Sequence, residues 1–340
     1  MKKTRLGKTG LMVTRTSFGV LPIQRTEKEE AARILRRAFD GGINFYDTAR
    51  GYSNSEEKLG YALGGVRDQI HIATKSGATT RAGLLKDLET SLRNLGTDYV
   101  DLMQLHNPKD LPNPEDPESS YAGLLEARRK GMIRHLGITQ HSIAQAEKAV
   151  ASCLYETMQF PLCMISSERD MALAELCRKK DVGVIAMKAL SGGLLRSPRA
   201  AFAFLRQYEN IVPIWGIQRM DELEKLLGLD AEEPCLDAEL QDQIARDRAE
   251  LSGSFCRACG YCLPCPANIP IPMAARMHLL LRRMPAEAFR SDEWRRDMGR
   301  IDDCTECGHC RKHCPYGLNT PELLKEAKAA YDKFIAARIC

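Results

Sequence analysis

EKEEAARILRRAFDGGINFYD (27–47) contains the repeating unit of this chain. Apolar residues at Ala31, Ile34, Leu35 and Ala38 recur at helical spacing, which predicts a helix over 27–40. Gly41-Gly42 stops it, and the apolar run at 43–46 reads as a strand. Outward from this unit the alternation continues. Strands are predicted at 16–20, 43–46, 70–74, 99–105, 133–138, 155–160, 182–187 and 211–215. Helices fit between them, such as 142–151, whose first turn Ser142 can cap. Eight strand-helix repeats in about 210 residues indicate a parallel (β/α)8 barrel. Repeat counting alone leaves a doubly wound open sheet as the alternative. Ahead of the first strand, Thr4–Leu6 and Met12–Thr14 flank Gly-Lys-Thr-Gly, a hairpin signal. Such a hairpin would cover the bottom of the barrel.

The repeat ends near 227, and Glu232-Glu233-Pro234 reads as a boundary before a polar helix at 237–252. Two cysteine runs follow. Cys256, Cys259, Cys262 and Cys265 precede Pro266, and Cys304, Cys307, Cys310 and Cys314 precede Pro315. Between them Pro270, Pro272 and Pro285 punctuate an apolar-basic helix near 273–284. The closing segment 321–338 reads as a helix with Pro in its first turn. The division is thus a barrel domain over 1–230, and a linker helix with a small α-helical domain over 231–340. Two-residue spacers bring successive thiolates around one small inorganic core, and the second run has the C-x2-C-x2-C-x3-C-P spacing of two-cluster ferredoxins. A pair of structural zinc sites is the alternative, although tetrahedral zinc usually takes two separated pairs of ligands. In such ferredoxins the fourth cysteine of each run serves the other cluster. Carried over, Cys256, Cys259, Cys262 and Cys314 hold one four-iron core, and Cys304, Cys307, Cys310 and Cys265 the other. The first run departs from that pattern, with two rather than three residues before its fourth cysteine. Cys153, Cys163, Cys177, Cys235 and Cys340 are read as ordinary residues.

Lys+Arg 49 against Asp+Glu 45 gives a net charge of +4 in 340 residues. So balanced a surface predicts neither a nucleic-acid stripe nor a membrane patch. The basic N-terminus never reaches the apolar stretch of a secretory signal, and no segment is long and apolar enough to span a bilayer. A cytoplasmic location with reduced thiols is the expectation.

If the strands are placed correctly, Asp47 ends the second, Tyr52 follows it in the loop, Lys75 ends the third and His106 ends the fourth. That rim is where barrel enzymes keep their chemistry. An ammonium beside a phenol favours the phenolate, so Lys75 would tune Tyr52 while Asp47 holds Lys75. His106 would hydrogen-bond a carbonyl oxygen beside the Tyr52 hydroxyl. The arrangement suits carbonyl reduction by hydride from a nicotinamide. In NFYDTARGYSNSEEKLGYAL (44–63), HIATKSG (71–77) and DLMQLHNP (101–108) the chain resembles the aldo-keto reductase superfamily over roughly 4–227. The whole chain is similar to its iron-sulfur branch, with a C-terminal ferredoxin-like domain. The resemblance implies a TIM barrel and a catalytic tetrad of Asp47, Tyr52, Lys75 and His106. It also implies NADP or NAD across the barrel top, with Gln159 on the nicotinamide amide and Gln218, Arg219 and Glu222 around the adenosine end. A guanidinium at Arg219 suits a 2′-phosphate, which favours NADP. Thr139-Gln140-His141 stands where the family generally has Ser-Asn, and Met187 where it has a stacking aromatic. Lys188 with Ser191-Gly192-Gly193 is a phosphate candidate or a simple turn.

Two function classes follow. One is an NAD(P)H-dependent oxidoreductase interconverting an aldehyde, ketone or sugar carbonyl with an alcohol. The other is an electron-transfer or redox-sensing protein whose barrel binds nucleotide and whose cluster domain meets an electron-carrier protein. Hydride carries two electrons and each cluster takes one, so the clusters read as structural, as gates, or as a link to that carrier.

Overall fold

The N-terminal hairpin forms as β1 (Lys3–Arg5) and β2 (Met12–Thr14), paired antiparallel around Gly7–Thr9. Eight parallel strands then close into a barrel. They are β3 (Ser17–Gly19), β4 (Phe45–Asp47), β5 (His71–Ser76), β6 (Val100–His106), β7 (Ile133–Thr139), β8 (Thr157–Pro161), β9 (Gly183–Met187) and β10 (Ile211–Gly216). β10 pairs with β3 to complete the ring, so the open-sheet alternative falls away. The computed structural model describes residues 1–251, 255–284 and 286–337. Pro285, Cys340 and the last positions of the helices expected at 237–252 and 321–338 lie outside the described residues. Among those described, no helix is long and apolar enough to cross a membrane.

Helices form where the caps allow. The side chains of Thr80, Ser119, Ser142 and Ser167 each accept from a backbone N–H of the following first turn, which satisfies a donor that the helix itself leaves open. The helix expected at 27–40 runs Lys28–Asp40 and buries Ala31, Ile34, Leu35 and Ala38.

Strand periodicity places the interior. Residues two apart share a face, so Phe45 and Asp47, and Leu102 and Gln104, point the same way on their strands. The lower members join one buried cluster: Leu6, Val13, Phe45, Ala73, Leu102, Ile185, Val212 and Ile214. Leu6 and Val13 come from the hairpin, which therefore plugs the N-terminal end of the barrel. The approach is close. A Cβ on Gly183 would sit 2.8 Å from the Leu6 side chain, and one on Gly7, whose φ is +52°, would sit 2.1 Å from the Gly183 nitrogen.

Residues group into two compact units, the first made of 1–189 and 198–244, the second of 190–197 and 245–340. This grouping differs from a division at 230/231 over 190–197 and 231–244. Two buried guanidinium groups account for the first difference. Within the second unit Arg276 donates to the Gly192 carbonyl at 3.0 Å and Arg283 to the Leu194 carbonyl at 2.7 Å. The helix expected near 273–284 is two short ones, Ile271–Ala274 and Met277–Arg283, broken at Arg276. The closing helix runs Thr320–Ala336 with Pro321 in its first turn.

Leu6→Ala should cost about 2–5 kcal/mol, the usual cavity penalty for a buried leucine, because Leu6 is 1% exposed. Met12→Ala, at a residue 48% exposed, should stay within about 0.5 kcal/mol. Denaturant unfolding of both variants checks the pair; equal losses would mean that the hairpin does not plug the core.

Candidate active site and cysteine cavities

Asp47, Gln104 and Gln159 come from β4, β6 and β8. Alternate strands of a closed parallel barrel contribute side chains to one interior layer, and these three are joined there by hydrogen bonds. Gln104 Nε2 donates to Asp47 Oδ1 at 3.2 Å and to Gln159 Oε1 at 2.9 Å, and Gln159 Nε2 donates to Asp47 Oδ2 at 3.3 Å. Lys75, on β5 between them, completes the group. Its Nζ donates to Asp47 Oδ2 at 2.6 Å and to the Thr48 carbonyl at 2.6 Å. All four are at most 2% exposed. Burial drives the Asp47 carboxyl upward and the Lys75 ammonium downward, and the ion pair with its amide donors opposes both shifts.

Above this layer, toward the C-terminal ends of the strands, Tyr52 and His106 meet edge to face, ring centroids 5.8 Å apart. Lys75 Nζ lies 5.1 Å from the Tyr52 ring centroid. The structure thus brings Asp47, Tyr52, Lys75 and His106 together. One part of the sequence argument needs correction: the net effect of this site is to hold the Tyr52 pKa above its ordinary value. Burial and the Asp47 charge raise it, and the carboxylate 2.6 Å from Lys75 Nζ offsets the ammonium. Tyr52 is therefore a loaded proton donor. Burial, helped by Lys75, pushes His106 down to about 3, so its imidazole is neutral and offers a hydrogen bond rather than a charge.

One residue that sequence reasoning passed over belongs here, and so does one that it noted only as a departure from the family pattern. Gln104 stands two residues before His106, and the strand period alone could have shown that it faces inward. His141 belongs to the stretch Thr139-Gln140-His141 at the end of β7, where the family pattern is departed from. It is 5% exposed, its backbone N–H donates to Asn107 Oδ1 at 3.0 Å, and burial with the charges of Lys188 and His106 holds its pKa well below the usual value.

The expected dinucleotide residues are placed less evenly. Gln159 uses both ends of its amide inside the layer just described. Lys188 follows β9 in the left-handed region, φ +60°, which is uncommon for a non-glycine residue and costs energy. Glu222 caps its helix by accepting from the backbone N–H groups of Gln218 and Arg219 at 2.8 and 3.1 Å. Arg219, 63% exposed at that helix N-terminus, pairs with Asp221 at 3.0 Å and Glu222 at 2.8 Å. A helix N-terminus with a guanidinium fits a phosphate, and the two carboxylates compete with it.

In the second unit the cysteines line two cavities, of about 320 and 370 Å³ with the open space at their mouths included. Cys256, Cys259, Cys262 and Cys314 line the smaller. Cys265, Cys304, Cys307 and Cys310 line the larger, with Cys262 at the wall between. Each cavity therefore combines three cysteines of one run with the last of the other. Burial and the charges of Cys256 and Cys259 push the Cys262 thiol up to about 12, a repulsion that a bound cationic core removes. The donor set fits iron-sulfur clusters.

Residues 15–203 match the model of the aldo/keto reductase family, and residues 255–319 that of a 4Fe-4S dicluster domain. Aldo-keto reductase YhdN of Bacillus subtilis is 29% identical over 214 residues, 57% of this chain and 64% of that protein. L-glyceraldehyde 3-phosphate reductase of Escherichia coli is 28% identical over 219 residues, 56% and 61% of the two chains. The matches thus span under two thirds of each relative. Among solved structures, the holo form of an aldo-keto reductase from Bacillus halodurans superposes with a TM-score of 0.63 at 24% identity, covering 73% of this chain and 96% of its own. An aldo-keto reductase from Klebsiella pneumoniae in complex with NADPH gives 0.60 at 22%, covering 72% and 94%. At these identities the two structures establish the barrel.

The His106 pKa predicts a pH signature. Its folded value of about 3 lies below the unfolded value near 6.5, so between them the unfolded chain binds a proton that the native state refuses. Stability contributed by neutral His106 is full above about pH 6.5 and is lost as pH falls toward 3. Denaturant unfolding at pH 7 and pH 5 should show wild type losing more stability than His106→Gln; identical losses would place His106 in an ordinary, solvated environment.

Proposed function

Since the chain belongs to the aldo/keto reductase family, we propose that it interconverts the carbonyl of an aldehyde, ketone or sugar with an alcohol, using NADP in preference to NAD. One observation carries this reading: a buried Lys75–Asp47 ion pair at 2.6 Å lies beneath a phenol and a neutral imidazole whose rings meet edge to face. The barrel rim sets an oxygen acid beside a neutral donor, which is what a developing alkoxide requires.

Reduced nicotinamide, when bound, supplies hydride to the carbonyl carbon. The chain's residues manage the oxygen. His106 donates a hydrogen bond to it, and Tyr52 gives up its proton as the oxygen becomes basic. The phenolate so formed lies within reach of the Lys75 ammonium, which stabilises it until a proton returns. Asp47, fixed by Gln104 and Gln159, keeps Lys75 oriented. Lys188, Gln218 and Arg219 would hold the dinucleotide, with Arg219 on the 2′-phosphate and Glu222 shaping the loop through its cap. Gln159 contributes to the nicotinamide end only if it leaves Asp47, so its principal role in this proposal is to hold the carboxylate.

The cysteine domain, in this reading, binds two four-iron clusters, one in each cavity, and obtains folding energy from them. Substrate is a small carbonyl compound, and neither nucleic acid nor a membrane is needed as a partner.

Tyr52→Phe should lower turnover about 10²–10⁴-fold and leave dinucleotide binding nearly intact, measured by reduced-nicotinamide oxidation and by ligand titration. Turnover within twofold of wild type would move the proton donor elsewhere. Arg219→Ala should weaken NADPH binding more than NADH binding; equal losses would mean that Arg219 reads no 2′-phosphate. Anaerobically prepared protein should carry about eight iron and eight sulfide per chain, and stoichiometric zinc in their place would end the cluster reading.

A further inference from the structure

Asn107 follows His106, the last residue of β6, with a φ of +53°. Asparagine tolerates the left-handed region better than most residues, but the proline after it favours extended backbone at 107. A residue so placed persists only where its surroundings over-determine it, and such residues cluster at active sites.

The end of β7 supplies those surroundings. His106 and Thr139 are register partners across β6 and β7. One residue on, the Asn107 N–H reaches both oxygens of Thr139, the carbonyl at 3.2 Å and Oγ1 at 3.0 Å. In return Asn107 Oδ1 accepts from the backbone N–H of His141 at 3.0 Å. His141 is 5% exposed, so this bond satisfies a donor that is costly to leave open. The latch continues along the chain. Gln140 Nε2 donates to the Pro108 carbonyl at 2.8 Å, and Gln145 Nε2, from the helix Ile143–Ala151, to the Lys109 carbonyl at 2.9 Å. The chain leaving His106 is therefore fixed at 107, 108 and 109 in turn.

The lower part of the site is held differently. Asp47 and Lys75 fix each other through their ion pair, and Gln104 and Gln159 hold Asp47 from within the barrel. The His106 imidazole stands at its strand end, edge to face with Tyr52, where its place follows from the backbone that carries it. We propose that Asn107 is a positioning residue of the reaction: its left-handed backbone and its Oδ1 lock the end of β6 onto the end of β7, and so hold the His106 imidazole beside the Tyr52 hydroxyl. The proposal rests on the carbonyl-reducing reading, in which both groups donate to one oxygen. A misplacement of about 1 Å in such a group can cost about 10²-fold in rate.

The test is a double-mutant cycle. Asn107→Gly keeps the left-handed backbone and removes Oδ1, and Thr139→Val removes the hydroxyl oxygen that the Asn107 N–H reaches. NADPH-dependent reduction of 4-nitrobenzaldehyde and of glyceraldehyde is measured for each, alone and combined with His106→Gln, and NADPH binding is titrated separately. Asn107→Gly should lower kcat at least about tenfold and leave NADPH affinity within about twofold. In the His106→Gln background it should change kcat by less than about twofold, because a residue that acts through His106 then has nothing left to position. A loss of equal size in both backgrounds, or none in either, overturns the proposal. If Asn107→Gly does not fold, Thr139→Val decides by the same comparison. Wild type that reduces neither aldehyde counts against the carbonyl-reducing reading and not against Asn107, which unfolding at pH 7 and pH 5 then decides. Lys75 and His141, the titratable neighbours of the imidazole, are the same in every variant. Asn107→Gly should lose as little stability as His106→Gln, and a loss as large as that of wild type overturns the proposal.

Discussion

A carboxylate inside a barrel is the constraint on which the site depends. Asp47 is 2% exposed, and leaving it there without partners would cost several kcal/mol. Four groups prevent that: the Lys75 ammonium, the amides of Gln104 and Gln159, and, through Lys75, the Thr48 carbonyl. Each partner belongs to a different strand or strand end. The closed sheet must therefore be in register before the charge is satisfied, and the satisfied charge in turn locks the upper layer of the interior. Below it the barrel is filled conventionally, by Phe45, Leu102 and the hairpin residues Leu6 and Val13.

The same low dielectric sets the protonation states at the rim. Burial keeps Tyr52 as a phenol and His106 as a neutral imidazole, the forms that donate to an oxygen acquiring negative charge. The Asp47 carboxylate offsets the Lys75 ammonium, which lies 5.1 Å from the Tyr52 ring centroid, so the phenol keeps its proton until the oxygen it faces becomes basic.

The second unit poses the complementary problem of accommodating buried thiols and buried guanidinium groups. Arg283 solves it with carboxylates, and the hydrogen bonds of Arg276 go to neutral groups. Arg276 holds the carbonyl of Gly192 and Arg283 that of Leu194. The segment 190–197 is thereby tied to the rest of the second unit by two buried side chains.

The sequence by itself determined the eight strands, each placed within about two residues, because apolar periodicity and Gly or Pro punctuation are local properties. It also singled out Asp47, Tyr52, Lys75 and His106, because chemistry at a strand end is legible once the strand is placed, and the two cysteine runs, because their spacing is a local pattern. Only the tertiary structure decided what those residues experience. Gln104 is catalytically mute in the sequence and becomes a clamp on Asp47 because β4, β6 and β8 contribute to one layer. The Tyr52 pKa moves opposite to the pairwise expectation, since desolvation depends on every neighbour. Glu222 turns out to cap a helix, Gln159 to hold a carboxylate, and 190–197 to group with residues some eighty positions later. Each of these outcomes depends on contacts between residues far apart in the chain, and local spacing carries no information about them.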